Sequence, residues 1–246
     1  MKDSVKFAQL INVFNPEDTT PPDINYANNS DCDIIALKFN IDKIEDIKKS
    51  TEALKKLLPQ ISKQLMIYGT TDDEIDKILL PELVKILDRK HCIISYANEN
   101  TYKNIVPSVI EGEHYLVLKT PIDINLAKEL NILSVDMGLD LDKIVMNTDI
   151  GGLGYGYEYG YSIMEKIKQE VCNGDEYLNL PIISDVSIES LKTKEAKSSD
   201  FSKSWGELNK RTQMIELAAC AGILSAGANI ITLTYPENIS ILKGMV

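Results

Sequence analysis

The chain has 246 residues, 44% of them apolar, and a formal charge of −11 at pH 7. That is enough apolar material for one large core, and with no basic stripe the acidic balance argues against nucleic acid or an anionic membrane surface as a partner, because phosphate binding needs clustered Lys and Arg. Four cysteines, Cys32, Cys92, Cys172 and Cys220, include no CxxC pair, which argues against a zinc site or iron–sulfur cluster held by this chain alone and favours reduced thiols.

In chain order, short apolar runs rich in β-branched residues alternate with segments of helical periodicity. The first strand is expected at Val5–Phe14. The stretch after it, "NPEDTTPPDINYANNSDCD", holds a short helix at best. A second strand over Asp33–Asn40 leads into a helix over Ile44–Ile61, and a third over Gln64–Gly69 leads into a helix opened by Thr71-Asp72-Asp73-Glu74. That opening reads as a capping box, with the acidic residue three places after the Thr. Strands four and five fall at Cys92–Asn98 and Tyr115–Pro121, the latter followed by a helix over Asp123–Leu133 and a terminating Gly138. Strand six, Lys143–Asp149, precedes "GGLGYGYEYGYSIMEKIK" and a helix over Tyr159–Val171. Strand seven, Pro181–Val186, precedes a long, partly basic connection and a helix over Trp205–Ala226. Gly227 stands where a helix ends in the left-handed conformation, and strand eight is Asn229–Tyr235.

Runs such as "CIISYAN" and "NIITLTY" are continuously apolar, as parallel strands covered on both faces should be. Eight such beats in this length predict an α/β fold, a (β/α)8 TIM barrel forming a single domain over residues 1–246, with a doubly wound sheet as the alternative. No linker or low-complexity run divides the chain. The start carries no apolar signal core, and no apolar run approaches the ~20 residues that span a bilayer, so no membrane span and a cytoplasmic setting are expected.

In a barrel of this kind the chemistry sits at the C-terminal strand ends. Here those ends carry Asn15-Pro16-Glu17, Asn40, Gly69-Thr70-Thr71, Asn98-Glu99-Asn100, Thr120-Pro121, Asn147-Thr148-Asp149, Asp185 and Tyr235-Pro236-Glu237. His91 and His114 each precede a strand, at the opposite, stability-determining face. A Ser–His–Asp or Cys–His arrangement, or a zinc hydrolase, therefore lacks its histidine at the mouth. Asp149 and Asp185 form a carboxylate pair that suits either acid–base work or loop anchoring. The Asn-rich ring suits hydrogen bonding to a flat polar heterocycle or to amide groups, since Asn offers donor and acceptor together.

The stretch after strand six is not a dinucleotide fingerprint: its spacing is G-x-G-x-x-x-G, and it does not follow a first strand. Glycines let backbone approach a bulky ligand, and Tyr155, Tyr157 and Tyr159 offer broad amphipathic surface. The same residues also suit a plain turn whose tyrosines pack on neighbouring loops. The connection after strand seven either reaches over the mouth or forms a solvated flap, and Trp205 at its end suits packing better than recognition.

The segments "TPIDINLAKELNIL" and "IVMNTDIGGLGYGYEYGYSIMEKIK" carry a family resemblance, strongest at Pro121–Asn125 and Gly151–Glu158. From about Asp33 onward the chain resembles the small subunit of the corrinoid iron–sulfur protein, the delta subunit of the acetyl-CoA decarbonylase/synthase complex. "KEA" at Lys194–Ala196 and "WG" at Trp205-Gly206 stand at matching distances. The resemblance implies a (β/α)8 barrel and a heterodimer with a large subunit that carries a [4Fe–4S] cluster and a cobalamin domain. The corrinoid would lie between that domain and the barrel mouth, and no iron–sulfur cluster, metal ligand or catalytic residue is assigned to this chain. A methyltransferase and the acetyl-CoA synthase of the acetyl-CoA pathway would be further partners. The implied cofactor-facing residues are Thr120, Asn147, Thr148, Asp149, Gly152, Gly154, Tyr155, Gly156, Tyr157 and Asp185.

The chain departs from the family pattern at the mouth. Asn147 and Thr148 stand where Asp and Pro are usual, Tyr96 where Asn is usual, and Asp185-Val186-Ser187 where "TVG" is usual; the segment before the first strand is also short. Two other readings stay open. One is a pterin-dependent corrinoid methyltransferase with Asn98, Asn100, Asn147 and Asp149 around its own pocket. The other is a divergent paralogue that binds nothing, its mouth plugged by side chains such as Tyr96.

Overall fold

A computed structural model describes residues 4–13, 23–120, 122–148 and 156–246. Eight strands run β1 (Lys6–Val13), β2 (Ile34–Phe39), β3 (Gln64–Tyr68), β4 (Ile93–Ala97), β5 (Tyr115–Lys119), β6 (Ile144–Asn147), β7 (Ile182–Ser184) and β8 (Ile230–Leu233). Each pairs in parallel with its sequence neighbour, and β8 returns to β1 to close the barrel. Helices α1 (Ile24–Asn29), α2 (Ile47–Leu57), α3 (Asp73–Val84), α4 (Tyr102–Glu111), α5 (Ile124–Asp136) and α6 (Tyr157–Cys172) follow the first six strands in turn. The β7–β8 connection carries α7 (Val186–Ser190), α8 (Lys194–Lys197) and α9 (Leu208–Ala226), and α10 (Pro236–Lys243) follows β8. The expected TIM barrel is therefore the observed one.

Side-chain alternation along each strand divides the core in two. Ala8, Leu10, Ile34, Ala36, Met66, Ile93, Val117, Val145, Ile183 and Ile230 fill the barrel interior. Phe7, Ile35, Leu37, Ile67, Ile94, Leu116, Ile144 and Ile231 point outward beneath the helices. Each fully buried side chain of this size contributes about 1.5–3 kcal/mol by leaving water.

Local chemistry sets the helix ends. Asp123 caps α5 by accepting from the N–H groups of Asn125 and Leu126. The cap of α3 differs from the expected capping box: Asp72, not Thr71, accepts from Glu74 and Ile75, and Thr71 adopts a φ of 82° in the turn before it. Gly227 ends α9 at φ 93°, a backbone region open to glycine at little cost. Helices α4 and α10, and the short α7 and α8 within the long connection, were not anticipated. The pattern in α4 is interrupted by Pro107, and α10 begins with Pro236 in its first turn, where a missing N–H costs nothing. No described helix is long and apolar enough to cross a membrane.

Candidate functional site at the barrel mouth

Two residues beyond each apolar interior position, toward the C-terminal strand ends, the alternation places a polar layer. Lys38 follows Ala36, Tyr68 follows Met66, Lys119 follows Val117, Asn147 follows Val145, Asp185 follows Ile183 and Thr232 follows Ile230. Register adds neighbours: Lys38 pairs with Asn12 on one side and Tyr68 on the other, and Lys119 pairs with Asn147.

Asp185 is the hub. Its Oδ1 accepts the Tyr68 hydroxyl at 2.5 Å and the Thr232 hydroxyl at 3.0 Å, and its Oδ2 accepts Asn147 Nδ2 at 2.6 Å. The Tyr68 and Thr232 hydroxyls also lie 2.9 Å apart. All four residues are buried, and a hydrogen bond to an ionised carboxylate is worth about 1.5–3 kcal/mol. Burial first, and then the Asp185 charge, raises the Tyr68 pKa well above its usual value, so this phenol stays protonated.

Of the candidates named from sequence, the fold brings Asn147 and Asp185 into direct contact across β6 and β7. Thr120 is buried beside them, and its N–H donates to the Asn147 carbonyl at 3.0 Å. Thr148 is buried too; its carbonyl accepts from Ile122 N–H at 3.2 Å, while its hydroxyl has no hydrogen-bond partner among the described residues. Gly156 caps α6 at φ 98°. Tyr157 points instead toward α9, where its hydroxyl reaches the Ala219 carbonyl at 3.5 Å. A Cβ at Gly222 would overlap that hydroxyl, so the absent side chain on α9 forms the notch that receives Tyr157. Tyr159 is 62% exposed. Asp149, Gly152, Gly154 and Tyr155 lie outside the described residues.

Asn98 and Asn100 do not face the mouth network; both side-chain amides donate to the Asp73 carboxylate at 2.8 and 2.9 Å, tying the β4–α4 turn to α3. Tyr96 packs against the inner cluster, half-buried, with Lys119 Nζ 4.6 Å from its ring centroid. The β7–β8 connection does reach the mouth, because Ile188 of α7 packs on the inner cluster. Its remainder is fastened to α9 by buried Arg211, which donates to the carbonyls of Glu195, Ser198 and Gly206 and lies over the Phe201 ring. Trp205 packs at a tilt of 45° against the same Phe201 and stays half exposed.

Sequence reasoning missed Lys38, Lys119 and Tyr68. The signal was present: each stands last or next to last in an apolar strand, at the same parity as the buried interior residues. A charge there points into the barrel, although in the bare sequence it looks like a solvated strand end. Among the described residues, no group of three or more His, Cys, Asp or Glu side chains is arranged to hold a metal ion.

The profile of the CO dehydrogenase/acetyl-CoA synthase delta subunit family matches residues 24–225. The chain belongs to that family. Among relatives, the acetyl-CoA decarbonylase/synthase complex subunit delta of Methanocaldococcus jannaschii is 25% identical over 197 residues, 80% of this chain and 48% of that protein. The subunit of the same name from Archaeoglobus fulgidus is 25% identical over 222 residues, covering 86% and 49%. This delta-family chain thus spans about half the length of the curated relatives it matches. Solved structures share its fold: dihydropteroate synthase from Thermus thermophilus superposes with a TM-score of 0.67 at 12% identity, covering 100% of this chain and 94% of that one. The Xanthomonas albilineans enzyme in complex with 7,8-dihydropteroate gives 0.65 at 12%, covering 100% and 95%.

Proposed function

We propose that this chain is the barrel of a corrinoid iron–sulfur methyl carrier in the acetyl-CoA synthase/CO dehydrogenase system, docking on a large subunit and covering that subunit's cobalamin at the barrel mouth. The observation that carries the reading is the family match over residues 24–225. The mouth agrees with it in two respects. The described residues there offer amide, hydroxyl and ammonium groups, which suit the amide arms of a macrocycle. The interior beneath is filled by Tyr68, Asp185 and Thr232, buried and bonded to one another, which favours a broad ligand lying over the mouth.

A corrinoid in that place would supply carriage of a methyl group on cobalt. The residues of this chain would do the rest: Asn147 and Thr120 orient the rim, Asp185 fixes Asn147, and α7 with Ile188 keeps water from the barrel interior. The loop with Asp149, Gly152, Gly154 and Tyr155 would form the closest edge.

The tagged chain, recovered from its native cells under anaerobic conditions, should bring down an iron–sulfur partner with a corrinoid absorption spectrum. A colourless chain eluting alone would overturn the reading. Gly154→Val should weaken that association while leaving the far-ultraviolet circular dichroism unchanged. The pterin-dependent reading retains Asn147 and Asp185 as contacts but loses Asn98 and Asn100 to Asp73; titration with a reduced pterin tests it directly.

A further inference from the structure

We propose that the face opposite the barrel mouth carries a ligand site of its own, a cavity between the C-terminal ends of α3 and α4 that takes the amide edge of a small neutral cyclic amide. The site does not rest on the corrinoid reading and concerns this chain alone.

The cavity measures ≈ 450 Å³, within the range of about 300–1,000 Å³ usual for small-molecule sites. Val84 and Leu87 give it an apolar side, and Glu111, Gly112 and His114 form the opposite wall. His114 is only 2% exposed. Its Nδ1 accepts from Cys92 N–H at 3.3 Å, so the proton of the neutral ring sits on Nε2. Burial, the main cause, holds the ring's pKa near 4 and keeps it neutral at pH 7. The Nε2 edge is the one at the cavity: a Cβ on Gly112 would come within 2.5 Å of it. The glycine therefore leaves the approach to this N–H open, and no described residue accepts from it. A donor left unmet at such depth is costly.

The charges around the cavity decide what would meet it. Lys85 pairs with Glu82 at 2.5 Å, Arg89 with Asp88 at 2.8 Å, and Lys90 with Glu113. Arg89 also donates to the carbonyls of Ile61 and Leu58. Each cation on the wall thus has its own carboxylate, and none calls for an added anion. Glu111 is different: its carboxylate is exposed and has no hydrogen bond or ion pair among the described residues. One neutral donor and one acceptor, two residues on either side of one short turn, match a group with an acceptor and a donor side by side. A cyclic amide is such a group, because its ring holds C=O and N–H on one edge, whereas open secondary amides keep them on opposite edges. The carbonyl would accept from His114 Nε2–H, the N–H would donate to Glu111, and the ring would rest on Val84 and Leu87.

The test is titration of the ¹⁵N-labelled full chain with uracil, followed through the imidazole nitrogen resonances. The sequence has two histidines, so the signal that disappears in His114→Asn belongs to His114. Uracil should shift it saturably and leave His91 unmoved. Loss of one hydrogen-bond partner in a site built for it should weaken binding at least about tenfold. That loss is expected with 1,3-dimethyluracil, which keeps both carbonyls but lacks the N–H groups, and with uracil on Glu111→Leu, an exposed position whose melting curve should stay unchanged. Four results would each overturn the proposal: a His114 signal unmoved up to the solubility of uracil, which would mean a cavity holding water only; equal binding of 1,3-dimethyluracil; equal binding by folded Glu111→Leu; or benzoate binding more tightly than uracil, which would mean an anion site.

Discussion

Three carboxylates, Asp76, Asp185 and Glu216, are buried among the described residues, and the last two are held in different ways. Glu216 on α9 accepts from the backbone N–H groups of Thr234 (2.7 Å) and Tyr235 (3.1 Å), from Asn238 Nδ2 (2.8 Å) and from the Ser187 hydroxyl. It ties the β8–α10 turn and α7 to α9. Asp185 accepts only from side chains, delivered by three other strands. A backbone donor cannot turn away without moving the chain, whereas a hydroxyl or amide can rotate toward a new partner. The first arrangement is a fastening. The second is a polar floor able to exchange partners when something arrives above it, and it adjoins the two lysines.

Breaking the two hubs should separate these roles. Glu216→Leu should cost the most, about 3–5 kcal/mol in urea unfolding, because it strands two buried N–H groups. Asp185→Leu should cost less, about 1–3 kcal/mol, because its donors can partly re-pair. Equal losses at the two sites would show that the Asp185 network is a fastening too. Asp185→Asn should lower the Tyr68 pKa, readable by ultraviolet titration, because the charge is the second cause of its elevation after burial.

Gly222→Ala should cost about 1–3 kcal/mol by forcing Tyr157 from its notch. Tyr157→Phe should cost under about 0.5 kcal/mol, since a 3.5 Å contact is at the limit of a hydrogen bond. The reverse ranking would mean that the Tyr157 hydroxyl, not its ring, matters to the α6–α9 contact.

Stability against pH offers a smaller and independent check at the opposite face. Burial pushes His114 from the ordinary 6.5 to about 4, with its Nδ1 accepting from Cys92 N–H. A histidine whose folded pKa is depressed is neutral in the fold while the unfolded chain takes up a proton. Its contribution is therefore full above about 6.5 and lost as pH falls toward 4. His114→Asn, which keeps an acceptor for Cys92, should flatten that part of the urea-midpoint profile. The raised Glu216 carboxyl acts with the opposite sign: burial, its main cause, gives stability present in acid and lost as pH rises through its folded pKa.

The barrel was legible because it is written in local patterns. Apolar runs mark strands, the Thr71–Glu74 stretch marks a helix start although its cap proved to be Asp72, and Gly227 stops a helix. Among the elements that escaped, α4 and α10 did so for equally local reasons: their prolines look like breaks until their positions are known. The site was half legible. Asn147 and Asp185 could be named as strand-end polar residues, whereas Tyr68 and the two lysines were hidden at the ends of apolar runs. Tyr157, chosen as a ligand edge, proved to be seated against Gly222, a contact between residues 157 and 222 that no short window reveals.

The sequence alone determined the eight-fold alternation and the acidic balance, because the first depends on neighbours a few residues apart and the second on composition alone. Only the closed barrel decided that Tyr68 and Asp185, 117 positions apart, share a proton donor and its acceptor. It alone decided that Lys38 turns toward the mouth, because closure gives every strand an inside, and a period of two assigns each residue to it or to the helices without regard to charge.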